Sequence, residues 1–174
     1  MMKKVFLMFL AAGAMSITAC SSDDDDNGDN NNNNNGGGSG TTAMYEYDVT
    51  GDDTDSREGF SYFEDDDGFI SVMMTSFTGG LNSVSLTFND PVEERTFSEI
   101  TGAIINDDLG TDEVAVTYSN GNNMFLGTSG SVEITEVSAS HIHGNFDVEV
   151  KYEPFDGGDT LTANISGSFI AEED

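Results

Sequence analysis

Between His141 and Tyr152 every second residue is apolar or glycine, and every residue between them is polar. A strand turns successive side chains to opposite faces, so this stretch has one dry face and one wet face; a helix would scatter the same residues around its axis. The alternation recurs along the chain. Tyr45, Tyr47 and Val49 alternate with Glu46 and Asp48, and Val84, Leu86 and Phe88 with Ser85 and Thr87. Val114, Val116 and Tyr118 form another row, Val132 and Ile134 a short one, and Leu161, Ala163, Ile165, Gly167 and Phe169 the last. Past residue 40 no window carries a helical stripe, although Ser98 to Ile105 has room for one short helical turn. Turn residues separate the rows: Gly51-Asp52-Asp53, Asp65-Asp66-Asp67-Gly68, Gly79-Gly80, Asn120-Gly121 and Asp156-Gly157-Gly158. The pattern predicts about eight to ten antiparallel strands in an all-β domain over 43–174. Its form is a sandwich or a flattened, lipocalin-like barrel, the barrel suiting consecutive hairpins.

Two strands share an echo, Ile142-x-Gly144-x-Phe146 and Ile165-x-Gly167-x-Phe169. Glycine on the buried face of a curved sheet marks a close approach that an aromatic ring fills. The echo therefore reads as architecture and not as a ligand site.

The amino terminus has a different composition. Met1-Met2-Lys3-Lys4 is basic, and Val5 to Ile17 is an apolar run broken by Gly13 and Ser16. About 20 apolar residues are needed to cross the hydrocarbon core, so this shorter run reads as an export signal over 1–19. Ile17-Thr18-Ala19-Cys20 resembles a bacterial lipobox, and Cys20 is the only cysteine. The resemblance implies cleavage before Cys20 and acylation of its sulfur and its new amine, with palmitate-type chains. One acyl chain anchors marginally, whereas two or three hold durably. Ser21-Ser22-Asp23-Asp24-Asp25 follows and is similar to the export signal of Bacteroidetes-type surface lipoproteins, which implies an outer-membrane protein facing outward, with the periplasmic face of that membrane as the alternative. Residues 20–42 carry the Asn30–Asn35 tract and Gly36-Gly37-Gly38-Ser39-Gly40 and read as a leash with nothing to bury. About 20 such residues reach roughly 25 Å. Asp23, Asp25, Asn27 and Gly28 mimic the start of a calcium-binding EF-hand loop, but Asn34 stands where that loop needs a glutamate.

After removal of residues 1–19, Arg57, Arg95 and Lys151 face 33 carboxylates, a formal charge of −30. Such a chain repels nucleic acid and anionic headgroups, so membrane contact must come through covalent lipid. With Cys20 alone, the domain has neither a disulfide nor a cysteine zinc site, and core packing must hold it.

Candidate chemistry is sparse. In a simple meander Asp65 and Asp67, Asp107, Asp108 and Asp112, and Asp156 and Asp159 are expected to share one rim. Such an oxygen-rich rim suits Ca²⁺, although aspartate also makes good turns. His141 and His143 have metal-ligand spacing on a strand, but their row carries Asn145, Asp147, Glu149 and Lys151 and is expected to lie open to water. Gly127-Thr128-Ser129-Gly130-Ser131 misses the nucleophile-elbow pattern at its last position.

Gly130–Thr135, the Ile142 row and Ile165–Phe169 together resemble the carboxy-terminal half of small Bacteroidetes lipoproteins of unknown function, over roughly residues 95–170. The resemblance implies an all-β fold and a surface or periplasmic home, and brings no catalytic residues. The leading expectation is a non-enzymatic surface lipoprotein that binds a protein or glycan, or serves adhesion. A carrier of a small apolar ligand would instead need a cavity lined by Met73, Met74, Phe77, Phe88 and Phe125. A polysaccharide hydrolase would need two facing carboxylates in a cleft.

Overall fold

The computed structural model describes residues 43–78, 80–104, 109–155 and 157–174. Among them lie eleven strands and no helix: β1 (Met44–Gly51), β2 (Asp55–Gly59), β3 (Ser61–Asp66), β4 (Phe69–Ser76), β5 (Asn82–Asn89), β6 (Arg95–Phe97), β7 (Glu99–Thr101), β8 (Glu113–Ser119), β9 (Met124–Val137), β10 (His141–Tyr152) and β11 (Leu161–Glu173). The short helical turn expected from Ser98 is absent among the described residues. Glu99–Thr101 runs parallel to β8 instead, with Ile100 seated over Gly127, where a side chain would collide with it.

The strands close into a barrel. Hydrogen-bonded neighbours run β10, β9, β8, β5, β4, β3, β11 and back to β10, a ring of seven. All of its pairings are antiparallel except β11 with β3. The far edge of β11 is divided. Residues 163–170 pair with β1, and Ala171–Glu173 pair in parallel with β3. β1 then pairs with β2, which runs on into β3 across Phe60. Where β1, β3 and β11 meet, the buried Ser61 hydroxyl is shared between the carbonyls of Ile170, at 2.7 Å, and Met44, at 3.1 Å.

Two rows of facing residues across β2, β1, β11 and β10 explain the curvature there. Gly59, Tyr45, Phe169 and Gly144 form one row; Arg57, Tyr47, Gly167 and Phe146 form the next. Each glycine lies beside an aromatic side chain. A Cβ on Gly144 would stand 2.6 Å from the Phe169 ring, and one on Gly167 would stand 2.2 Å from the Glu46 carbonyl. The echo in the sequence is thus one strand's glycine facing the other's phenylalanine, twice.

The interior is filled. Val72, Met74, Val84, Leu86, Phe88, Val116, Tyr118, Phe125 and Val132 are fully buried in one cluster that also takes in Ile142, Val148 and Ile165. Burying each large apolar side chain contributes roughly 1.5–3 kcal/mol, which is how the domain holds together without a disulfide. The chain enters at Ala43 and leaves at Asp174 at the same end of the barrel, which also bears the β3–β4 and β9–β10 turns. The β1–β2, β4–β5, β8–β9 and β10–β11 connections lie at the opposite, far end.

Candidate functional site

The far end combines a polar plug with an apolar rim. β2 reads Asp-Ser-Arg-Glu-Gly, and its inward residues are Asp55, Arg57 and Gly59 rather than hydrophobics. Its edge away from β1 has no strand partner. Side chains bridge that gap. Asn82 donates to Asp55 at 2.6 Å, while Tyr118 and Asn120 both donate to Asp53, at 2.8 and 3.0 Å. Arg57 Nε lies 2.8 Å from the Asp55 carboxylate, off the hydrogen-bond line. Behind the plug the Tyr45 and Tyr47 rings stack at 5.6 Å, and Tyr118 meets Tyr47 edge-on.

This packing keeps the phenols neutral. Burial pushes Tyr118 far up, and the Asp53 carboxylate that accepts its hydrogen bond adds to the shift. Burial also raises Tyr47, helped by Tyr45 and Asp55. Tyr45 rises by burial against the opposing influence of Ser76 and Arg57, and no well-aligned hydrogen bond reaches its hydroxyl. Neutral phenols and an engaged guanidinium are a structural seal.

Around the plug, the connecting loops expose large apolar side chains. Phe77 and Leu81 stand on the β4–β5 connection, Met124 follows the β8–β9 turn, and Phe155 is fully exposed between β10 and β11. Phe77 is 81% exposed: it follows the inward Ser76 on the outward parity of β4, just past the strand's end. Met73 points to the outer face, while Met74, Phe88 and Phe125 are packed in the core. The five residues that a carrier's cavity would need therefore do not line a common space.

The outer wall carries a groove of about 670 Å³ across β2, β1, β11 and β10. Glu58, Glu46, Ser168 and Asn145 line it as one row, with Ser56, Asp48 and Ser166 beside them. It is a solvated, oxygen-rich wall, because Arg57 points inward from β2.

The loop aspartates do not form the single rim expected of a meander. Asp65 and Asp67 lie at the end where the chain enters, and Asp159 lies at the far end. The reason is the number of hairpins: the β10–β11 connection shares its end with β1–β2, not with β3–β4. Asp67 (φ 50) and Gly68 (φ 87) form a tight hairpin turn that needs left-handed backbone at both positions, so Asp67 has a turn role. Asp112 pairs with Arg95 at 2.8 Å. Asp107, Asp108 and Asp156 lie outside the described residues, as do Ile17, Thr18, Ala19, Cys20, Ser21, Ser22, Asp23, Asp24 and Asp25. Gly127–Ser131 is extended strand in β9 and not an elbow.

His141 and His143 share an outer face as their spacing predicts, but they are not open to water. Their side chains are 23% and 21% exposed, and Glu136 of β9 contacts both. A hydrogen bond from His141, then the charge of His143, holds the Glu136 carboxyl below its ordinary range. Glu136 was not singled out by spacing, because its place depends on a bulge in β9.

A comparison of the chain with protein-family models, curated proteins and solved structures finds no match.

Proposed function

We propose that this chain is a lipid-anchored surface protein of a Bacteroidetes-type outer membrane, and that its barrel is a non-enzymatic display module that docks a protein partner through the far end. One observation carries the reading. The barrel is packed along its length, while exposed Phe77, Leu81, Met124 and Phe155 all lie at the end opposite the one where the chain enters; exposed Met44 and Phe60 lie elsewhere, at the start of β1 and between β2 and β3. Exposed apolar groups surrounded by polar ones are a feature of protein docking surfaces. The filled interior favours display over carriage of a small apolar ligand. The sequence supports the anchor: the lipobox resemblance ends in the only cysteine, and an acidic run follows it.

Two measurements test the reading. In a Bacteroidetes-type host, Cys20→Ser should shift the protein from the membrane pellet to the soluble fraction, and protease added to intact cells should digest the parent. A variant that stays in the pellet removes the lipid anchor from the reading, and a parent that resists protease removes outward display. A photo-crosslinking residue at position 155 should give a discrete adduct that Phe77→Ser weakens. If it gives only a smear that Phe77→Ser leaves unchanged, the far end is not a docking surface.

A further inference from the structure

At the β9–β10 turn, away from the far end, three side chains converge. The carboxylate of Glu136 lies 3.0 Å from His141 Nε2 and 3.2 Å from His143 Nδ1. One donor atom from each residue lies within 4.8 Å of the other two. The imidazole rings sit side by side with centroids 4.8 Å apart. Among the described residues this is the one group of three such side chains close enough to share an ion.

We propose that Glu136, His141 and His143 form a zinc-class metal site with an open coordination position. Zinc takes imidazole nitrogen and carboxylate oxygen at about 2.0–2.2 Å in tetrahedral geometry. Adjacent ligand atoms in such a shell stand about 3.3–3.5 Å apart. The two carboxylate-to-imidazole distances are close to that edge length, but they run to different oxygens of Glu136, Oε1 to His141 and Oε2 to His143; seating an ion therefore requires the carboxylate to turn and the two imidazole nitrogens to close on one point. Three protein ligands leave the fourth position to water or to a group from outside the chain.

The backbone is shaped to bring the three together. In the β9–β10 ladder Ile134 faces Gly144 and Glu136 faces His143, so Thr135 is an extra residue on β9. Without that bulge, alternation would put Thr135 opposite His143 and turn Glu136 toward the core. Bulges re-aim side chains in this way and recur beside functional sites.

The surroundings fit the same role. The Ser138 hydroxyl lies 2.8 Å from His141 Nδ1, and the Ser140 hydroxyl 3.3 Å. They engage the ring's other nitrogen, which orients Nε2 toward the carboxylate as an outer shell does for a metal-bound histidine. His143 Nε2 is buried without a partner, which leaves Nδ1 as that ring's working atom. Glu172 faces His141 across the β10–β11 ladder and adds negative charge beside the site. Two imidazoles with one carboxylate suit zinc and its borderline neighbours better than calcium, which prefers an all-oxygen shell.

The test uses the full chain carrying Cys20→Ser, which removes its only thiol. Zinc chloride is titrated at neutral pH in millimolar Ca²⁺, which occupies loose carboxylate sites, and Co²⁺ is added separately as a spectroscopic probe. The expected result is one zinc per chain at micromolar or tighter affinity, with the visible absorption of low-coordinate Co²⁺. His141→Gln and His143→Gln should each weaken binding by at least about tenfold, with metal-free melting temperatures near the parent's. The proposal fails if zinc does not saturate at one per chain, or if both histidine variants bind as the parent does; Glu136 and the histidines are then an ion pair only. Should a variant fold poorly, the parent's Co²⁺ spectrum decides: featureless six-coordinate absorption overturns the site.

Discussion

Tyr45, Tyr47 and Tyr118 are the residues on which the far end is built, and all three are held neutral by burial. Tyr62 is raised as well, first by burial and then by Glu64 and Asp174. An unfolded chain ionises its phenols near pH 10. The folded-state values lie higher, so the stability these groups lend is whole below pH 10 and is lost as pH rises past it. Phenolate absorbance should therefore lag behind that of free tyrosine and then rise in one step with loss of the β-sheet signal. Four phenols ionising near pH 10 in a still-folded chain would contradict the packing. A second residue-scale test concerns the core. Phe125 is fully buried between Tyr118 and Tyr152, and Phe125→Ala should cost about 3–5 kcal/mol in denaturant unfolding.

At the scale of elements, the glycine rows bend the wall where β1 enters between β2 and β11. Gly167 has the Tyr47 Cα and Cβ and the Glu46 carbonyl against the space a side chain would take. Gly167→Ala should destabilise by about 1–3 kcal/mol through overpacking, with the midpoint falling and the denaturant slope unchanged. A neutral result would mean that β1 is not packed against β11 as described. The elements also show what could be read from the order of residues. β10 was legible almost to its ends because its inward face is uniformly apolar or glycine. β2 was hidden because its inward residues are charged and are satisfied by partners from β5 and, through Arg57, within β2 itself. The bulge at Thr135 was hidden as well, since alternation alone assigns Glu136 to the wrong face, and with it the three-residue cluster. Met73 and Phe77 share the outward parity of β4, opposite to Met74, so the grouping of all three as one lining mixed the two faces of a single strand.

For the whole molecule, the dominant fact is charge. With 33 carboxylates against five cationic side chains, the folded chain repels itself, and counterions relieve that repulsion. Raising sodium chloride from about 10 mM to about 0.5 M should raise the melting temperature by several degrees. Because Asp65 and Asp67 are separated from Asp159 by the length of the barrel, millimolar Ca²⁺ should add no more than sodium chloride of matched ionic strength. A larger calcium shift would restore a dedicated oxygen site in one of the loops.

The division of β11's far edge between β1 and β3 also has a mechanical consequence. β1 is the first strand of the domain, beside the seven-strand ring, and it is laddered on both sides, to β11 along its whole length and to β2 along most of it. A pull delivered to Ala43 from the preceding residues and resisted at the far-end loops runs along that strand. The load falls on two ladders in shear, so their hydrogen bonds must yield together and not one after another. Under the proposed anchoring and docking, the far-end loops and the two ladders carry the same load in series, and the ladders meet it in shear, their most resistant geometry.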